Sequence, residues 1–175
     1  MKTYLNKAAA AFVLAASLAA GNAYAQNPAP AVPAPATQKD VPPSANEDEK
    51  LQDLFVLANA FVEEEGKNSS EDVKEKIVAA LTPAEAQDIK TLWMDLALMQ
   101  SAGPPSGEKA ARAWQHEGYL KRIKMDEIAL GAMRRCQTDA ELRALLPATL
   151  HTKVISDGFK AQNAPNLAAI FAPAP

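Results

Sequence analysis

Residues 108–136 lie within the longest proline-free run of the chain and carry apolar residues on two sides of a helix. At about 100° per residue, five apolar residues and His116 fall on one side, and five small or apolar residues fall on another. The first set is Tyr119, Leu120, Ile123, Leu130 and Met133, and the second is Trp114, Gly118, Met125, Ile128 and Ala132. Because both sides need covering, the sequence predicts the central helix of a small bundle.

Three helices are predicted before the central one. Apolar residues at a spacing of three and four predict a first helix over about residues 46–65, which Gly66 ends. A short second helix follows over about residues 71–81. The capping box that starts at Thr82 predicts a third helix, which continues to about Ser101.

Shorter helices are predicted after the central one. A second capping box starts at Thr138, Pro147 ends or kinks the helix that it opens, and residues 150–159 have helical spacing. No alternating run bounded by turn residues predicts a strand. The predicted fold is all-α, a small helical bundle of five to seven helices with disordered N- and C-terminal arms.

The first 25 residues have the order of a secretory signal peptide. Lys2 and Lys7 precede an apolar run over residues 8–21, and an A-x-A pattern ends at Ala25, so cleavage is expected before Gln26. The alternative is an uncleaved anchor, but the run is shorter than the ~20 residues of a membrane-spanning helix. We therefore expect a periplasmic or secreted protein with no stable membrane insertion after cleavage.

The remaining chain divides by composition. Residues 26–45 are rich in proline and alanine and predict a disordered linker. Residues 46–163 are expected to form the helical domain and residues 164–175 a flexible tail, with one last helical turn over residues 167–171 as the alternative. Cys136 is alone, so it forms no disulfide within the chain; it is either a small buried residue or the site of an intermolecular disulfide.

Net charge argues against two classes of partner. The formal charge is −3, and loss of Lys2 and Lys7 with the signal peptide makes the mature chain more acidic. Nucleic acids and anionic lipid surfaces both favour basic faces. We therefore expect no nucleic-acid partner and an unknown envelope protein or peptide instead, with a homodimer as one option.

Catalytic and metal-binding patterns are sparse. His116 is expected to be a hydrogen-bonded residue at the edge of the core, and His151 follows the break at Pro147. A metal site would need both histidines, Cys136 and a carboxylate to converge from distant segments. The sequence holds no H-E-x-x-H, C-x-x-C or G-x-S-x-G pattern and no phosphate-binding glycine loop. We expect no enzyme activity, no catalytic or metal-ligating residues and no cofactor.

Two short segments resemble known families. Leu81-Thr82-Pro83-Ala84-Glu85 is similar to the L-T-x-x-Q motif of the Spy and CpxP group of periplasmic stress chaperones, although glutamate replaces the glutamine. That resemblance implies a small helical holdase. Ala97-Leu98-Met99-Gln100 resembles the G-L-M-Q element of lytic transglycosylases, with alanine replacing the glycine and no Glu-Ser pair in the chain. That resemblance implies a cell-wall-acting enzyme.

Methionine and tryptophan supply the candidate binding residues. These side chains adapt to varied apolar surfaces, and a groove between helices is a common ligand site in bundles. The sequence therefore predicts an exported, non-enzymatic helical protein that binds a partner protein, peptide or apolar ligand; the alternatives are a holdase-like stress chaperone and a cell-wall-acting enzyme. The candidate groove residues are Trp93, Met94, Met99, Trp114 and Met125.

Overall fold

The computed structural model describes residues 44–174, which form seven α-helices, one 3-10 turn and no strand. The predicted signal peptide and nearly all of the proline-rich linker lie outside these residues. The helices are α1 Ala45–Asn68, α2 Glu71–Ala80, α3 Pro83–Ala102, α4 Glu108–Arg134, α5 Asp139–Ala144, α6 Lys153–Ala161 and α7 Pro165–Ile170. The all-α prediction is confirmed.

Helix α4 is the centre of the bundle, as its two apolar sides predict. It contacts α1, α2, α3 and α7, and it is continuous through Gly118. Its first apolar side belongs to the main core, where Ile123 and Leu130 are buried. Its second side holds Met125 and Ala132, which are also buried.

Two helices begin at the capping boxes that the sequence predicts. The Glu85 carboxylate accepts a hydrogen bond from the Thr82 N–H at 2.8 Å, and the Glu85 N–H donates to the Thr82 hydroxyl at 3.2 Å. The same reciprocal pair forms between Thr138 and Glu141. Each box satisfies two N–H groups at the start of a helix, where such groups otherwise lack partners.

The first helix is longer than predicted at both ends. It is capped at Ser44, whose N–H donates to Glu47 at 3.0 Å, and it passes through Gly66 without ending. It continues because its last turn is tied to the core by Glu65. The Glu65 carboxylate is buried and accepts hydrogen bonds from Ser69 and Gln137 at 2.8 and 2.7 Å. The prediction that Gly66 ends this helix is therefore wrong.

The prediction of a flexible tail over residues 164–175 is wrong for residues 164–171. Residues 165–170 form α7, and Leu167, Ile170 and Phe171 are fully buried in the core. The Phe171 ring packs against Phe159, with ring centroids 5.0 Å apart. The helical domain thus extends past residue 163 and depends on this segment.

Helix α7 has no side-chain cap of its own and is capped by α4 instead. The Glu127 carboxylate accepts hydrogen bonds from the N–H groups of Asn166 and Leu167 at 2.7 and 2.9 Å. Arg134 donates to the Asn166 side chain at 2.6 Å and also pairs with Asp139 at 2.8 Å. A Cβ on Gly131 would lie 3.0 Å from the Asn166 amide nitrogen, so the glycine permits this close approach.

Replacement of Phe171 by alanine tests the docking of the C-terminal segment. Phe171→Ala should lower the free energy of unfolding by about 3–5 kcal/mol, the usual cost of deleting a buried aromatic ring. Urea unfolding of the full chain, followed by circular dichroism, measures this. Deletion of residues 173–175 is the control, because residues 173 and 174 are exposed. Equal stability of both variants would indicate that the segment does not pack.

Candidate partner-binding surface

Helix α3 packs chiefly against the second apolar side of α4 and runs antiparallel to it. Ile89 and Leu96 are buried on its inner side. Near the chain reversal, the Met99 methyl group lies 3.9 Å from the position that a Cβ on Gly118 would take. This is ordinary van der Waals contact, so the space at Gly118 would also admit alanine.

Polar contacts hold α3 on α4 at two points. Within α3, Asp95 accepts a hydrogen bond from Lys121 at 3.1 Å, and Lys121 also pairs with Glu117 at 3.3 Å. Near the start of α3, Glu85 pairs with Arg135 at 2.6 Å, and Arg135 also donates to the carbonyl oxygen of Ala80, at the end of α2, at 3.1 Å. The inner side of α3 is therefore fixed in register with α4, and its opposite side remains outward.

The outward side of α3 carries a row of uncharged, exposed residues. They are spaced three and four apart, so they lie along one face of the helix, over about 25 Å at 1.5 Å per residue. Met94 and Leu98 are 50% and 65% exposed. This surface, which we call the α3 outer row, consists of Ala84, Gln87, Thr91, Met94, Leu98 and Ser101.

Three of its polar side chains already have partners within α3. The Thr91 hydroxyl donates to the Gln87 carbonyl oxygen at 2.9 Å, and the Gln87 side-chain amide lies 3.4 Å from the same hydroxyl. The Ser101 hydroxyl donates to the Leu98 carbonyl oxygen at 2.9 Å. Covering these hydroxyl groups would therefore leave their donated hydrogen bonds intact, which lowers the cost of burying them.

The five predicted groove residues are divided between covered and open surfaces. Met125 is only 6% exposed, on the side of α4 that α3 covers, whereas Met94 points outward. Trp93, Met99 and Trp114 are half-buried. Of the five, Met94 alone belongs to the α3 outer row, and the groove prediction omits Leu98, the other large exposed apolar residue of that row.

The two histidines and the cysteine have different neighbours and do not form a common site. The Nδ1 atom of His116 lies 3.2 Å from the Asp48 carboxylate, as expected for a hydrogen-bonded histidine at the core edge. The Nε2 atom of His151 lies 3.2 Å from the Arg143 carbonyl oxygen. Cys136 is free and half-buried. Over residues 44–174, no three His, Cys, Asp or Glu side chains come together as a metal-binding group.

Asp126 is a buried acid of α4. It is 6% exposed, and its Oδ2 atom has no hydrogen-bond partner within the described part of the chain. Burial raises the pKa of this carboxyl to about 8, and the positive charge of Arg122 opposes the shift. Arg122 itself lies over the Phe55 ring, 5.0 Å from its centroid.

Comparisons with protein-family models, curated proteins and solved structures found no match to this chain. Within the described helices, none has both the length and the apolar character that crossing a membrane requires.

The pH dependence of stability tests the environment of Asp126. Its pKa of about 8 in the folded protein exceeds the ordinary value of 3.8, so the folded state binds the proton more tightly. The contribution of Asp126 to the free energy of unfolding is therefore largest below about pH 4 and is lost as the pH rises to 8. Asp126→Asn should therefore stabilise the protein at pH 9, by an amount on the order of several kcal/mol, and change little at pH 4.

Urea unfolding of both proteins between pH 4 and pH 9 provides the measurement. The same substitution at the exposed Asp88 is the matched control and should follow the unmodified protein across the range. A constant difference between Asp126→Asn and the unmodified protein would show that the carboxyl stays ionised in the fold.

Proposed function

We propose that this chain is an exported, non-enzymatic protein that binds a partner protein through the α3 outer row. The proposal rests on one observation. Along one face of this 20-residue helix, the six residues of the α3 outer row are all exposed and none is charged. A helix face of this kind suits docking against another helix, which contacts anchors at three- and four-residue spacing. The buried inner side of α3 keeps this surface rigid.

The absence of charge on the α3 outer row favours a protein partner. The whole chain is acidic, but the row itself has no carboxylate that an apolar protein surface would have to bury. Apolar contact at Met94 and Leu98 would supply most of the affinity, because central, desolvated apolar anchors dominate helical interfaces. The surrounding polar residues would supply complementarity with little energy.

Export is tested by the mass of the product. A full chain expressed in a bacterial host should be recovered from the periplasm with a mass that begins at Gln26, because the A-x-A pattern ends at Ala25. Intact-mass spectrometry of the periplasmic fraction measures this. A control with Ala25→Arg should accumulate as precursor. Retention of residues 1–25 in the membrane fraction would contradict the cleaved-signal proposal.

Partner binding is tested with a photo-crosslinking residue at position 98. Crosslinking in a cell-envelope extract should give a discrete adduct, because Leu98 lies in the α3 outer row and is 65% exposed. Met94→Glu in the same chain should reduce the adduct at least tenfold, since it buries a charge one turn away. Position 154 is the matched control: Val154 is 82% exposed but lies on α6. Identical adducts at both positions, or none at position 98, would contradict the proposal.

A further inference from the structure

We infer that the partner of the α3 outer row is a second copy of this chain, bound with the two α3 helices parallel. This inference rests on the proposed function and names its partner. The row has the four-and-three spacing of the seam of a coiled coil. Assigned as heptads, Ala84, Thr91 and Leu98 take the a positions, and Gln87, Met94 and Ser101 take the d positions.

The buried residues of α3 support this heptad assignment. Ile89 and Leu96 take the f positions, opposite the seam, and both are buried on the inner side of α3. The seam is therefore directed away from α4. Its six residues, Ala84 included, are all exposed, so a second helix can approach without rearrangement of the bundle.

Charges beside the seam select the partner and its direction. Lys90 takes a g position and Asp95 the e position five residues later. In a parallel pair of helices, the g residue of one helix lies beside the e residue five positions later in the other helix. Two copies would therefore form two symmetric Lys90–Asp95 pairs. An antiparallel pair would instead place e positions together, bringing Asp88 of one copy near Asp95 of the other.

Both charged groups are available for this contact. Lys90 is exposed and has no salt bridge within the described residues. The Asp95 side chain is 45% exposed, and only its Oδ2 atom is used by Lys121. Its second oxygen can accept a hydrogen bond from a lysine of another copy. Asp88, the other e residue, faces a g position occupied by Pro83 and gains no partner.

The dimer should be weak. Gln87 and Thr91 place polar groups in the seam, which fixes register at a cost in affinity. The seam covers about two and a half heptads, and short contacts of this kind bury less than a standard interface. We therefore expect a dissociation constant on the order of 10–100 µM.

Charge reversal tests the inference. Sedimentation equilibrium of the exported chain that begins at Gln26, at concentrations up to about 500 µM, should show a monomer–dimer equilibrium. Lys90→Glu and Asp95→Lys should each weaken self-association by about tenfold, because each replaces two attractive pairs with two repulsive ones. An equimolar mixture of the two variants should restore dimerisation, because a mixed dimer regains pairs of opposite charge. Asp88→Lys is the matched control and should leave the equilibrium unchanged.

Disulfide trapping tests the direction of the helices. In a Cys136→Ser background, Ser101→Cys should form a disulfide dimer on oxidation, because d positions of parallel helices face each other. The parallel arrangement is overturned if the Ser101→Cys variant forms no disulfide with itself and crosslinks only to an Ala84→Cys variant, because a positions face d positions in antiparallel helices.

The oligomeric state separates this inference from the proposed function. A strict monomer at every concentration would overturn self-association. If the adduct at position 98 then contains a different protein, the proposed partner binding stands without the dimer. If position 98 gives no adduct, both the dimer and the proposed partner binding fail.

Discussion

Helix α4 must be covered on both of its apolar sides, and the rest of the described bundle depends on that requirement. Helix α1 and the C-terminal helices cover one side and share a core with it. Helix α3 covers the other side and makes its main contacts with α4 alone. This asymmetry has a direct consequence. The helices around the first side bury one another, whereas α3 is supported from a single direction and keeps its opposite face in solvent.

Features encoded by neighbouring residues could be predicted from the sequence. The two sides of α4 follow from helical periodicity, and the starts of α3 and α5 follow from capping boxes whose members are three residues apart. The C-terminal segment could not be predicted in this way. Its helix begins with Pro165 but is capped by Glu127, which comes from a different helix. The end of α1 is similar, because Glu65 is held by Gln137 across 72 positions.

The candidate surface was partly predictable. Methionine and tryptophan mark adaptable apolar contacts, and Met94 does lie on the exposed face of α3. Residue type alone does not show which side chains are covered, so it groups Met125 with Met94 although Met125 is buried and Met94 is exposed. The missing information is the direction in which α3 faces α4. Once Ile89 and Leu96 define the buried side, the opposite residues and their heptad positions follow from the sequence.

The α3 outer row is separate from the interactions that stabilise the fold. The core around Phe159 and Phe171 contains no residue of α3, and the contacts that fix α3 on α4 use its inner side and flanks. The hydroxyl groups of Thr91 and Ser101 donate within α3, so neither hydroxyl proton requires a partner from another molecule. Changes along the row can therefore alter association while leaving the core intact. Loss of binding in such variants is then attributable to the surface itself, since unfolding would require disruption of contacts on the far side of α4.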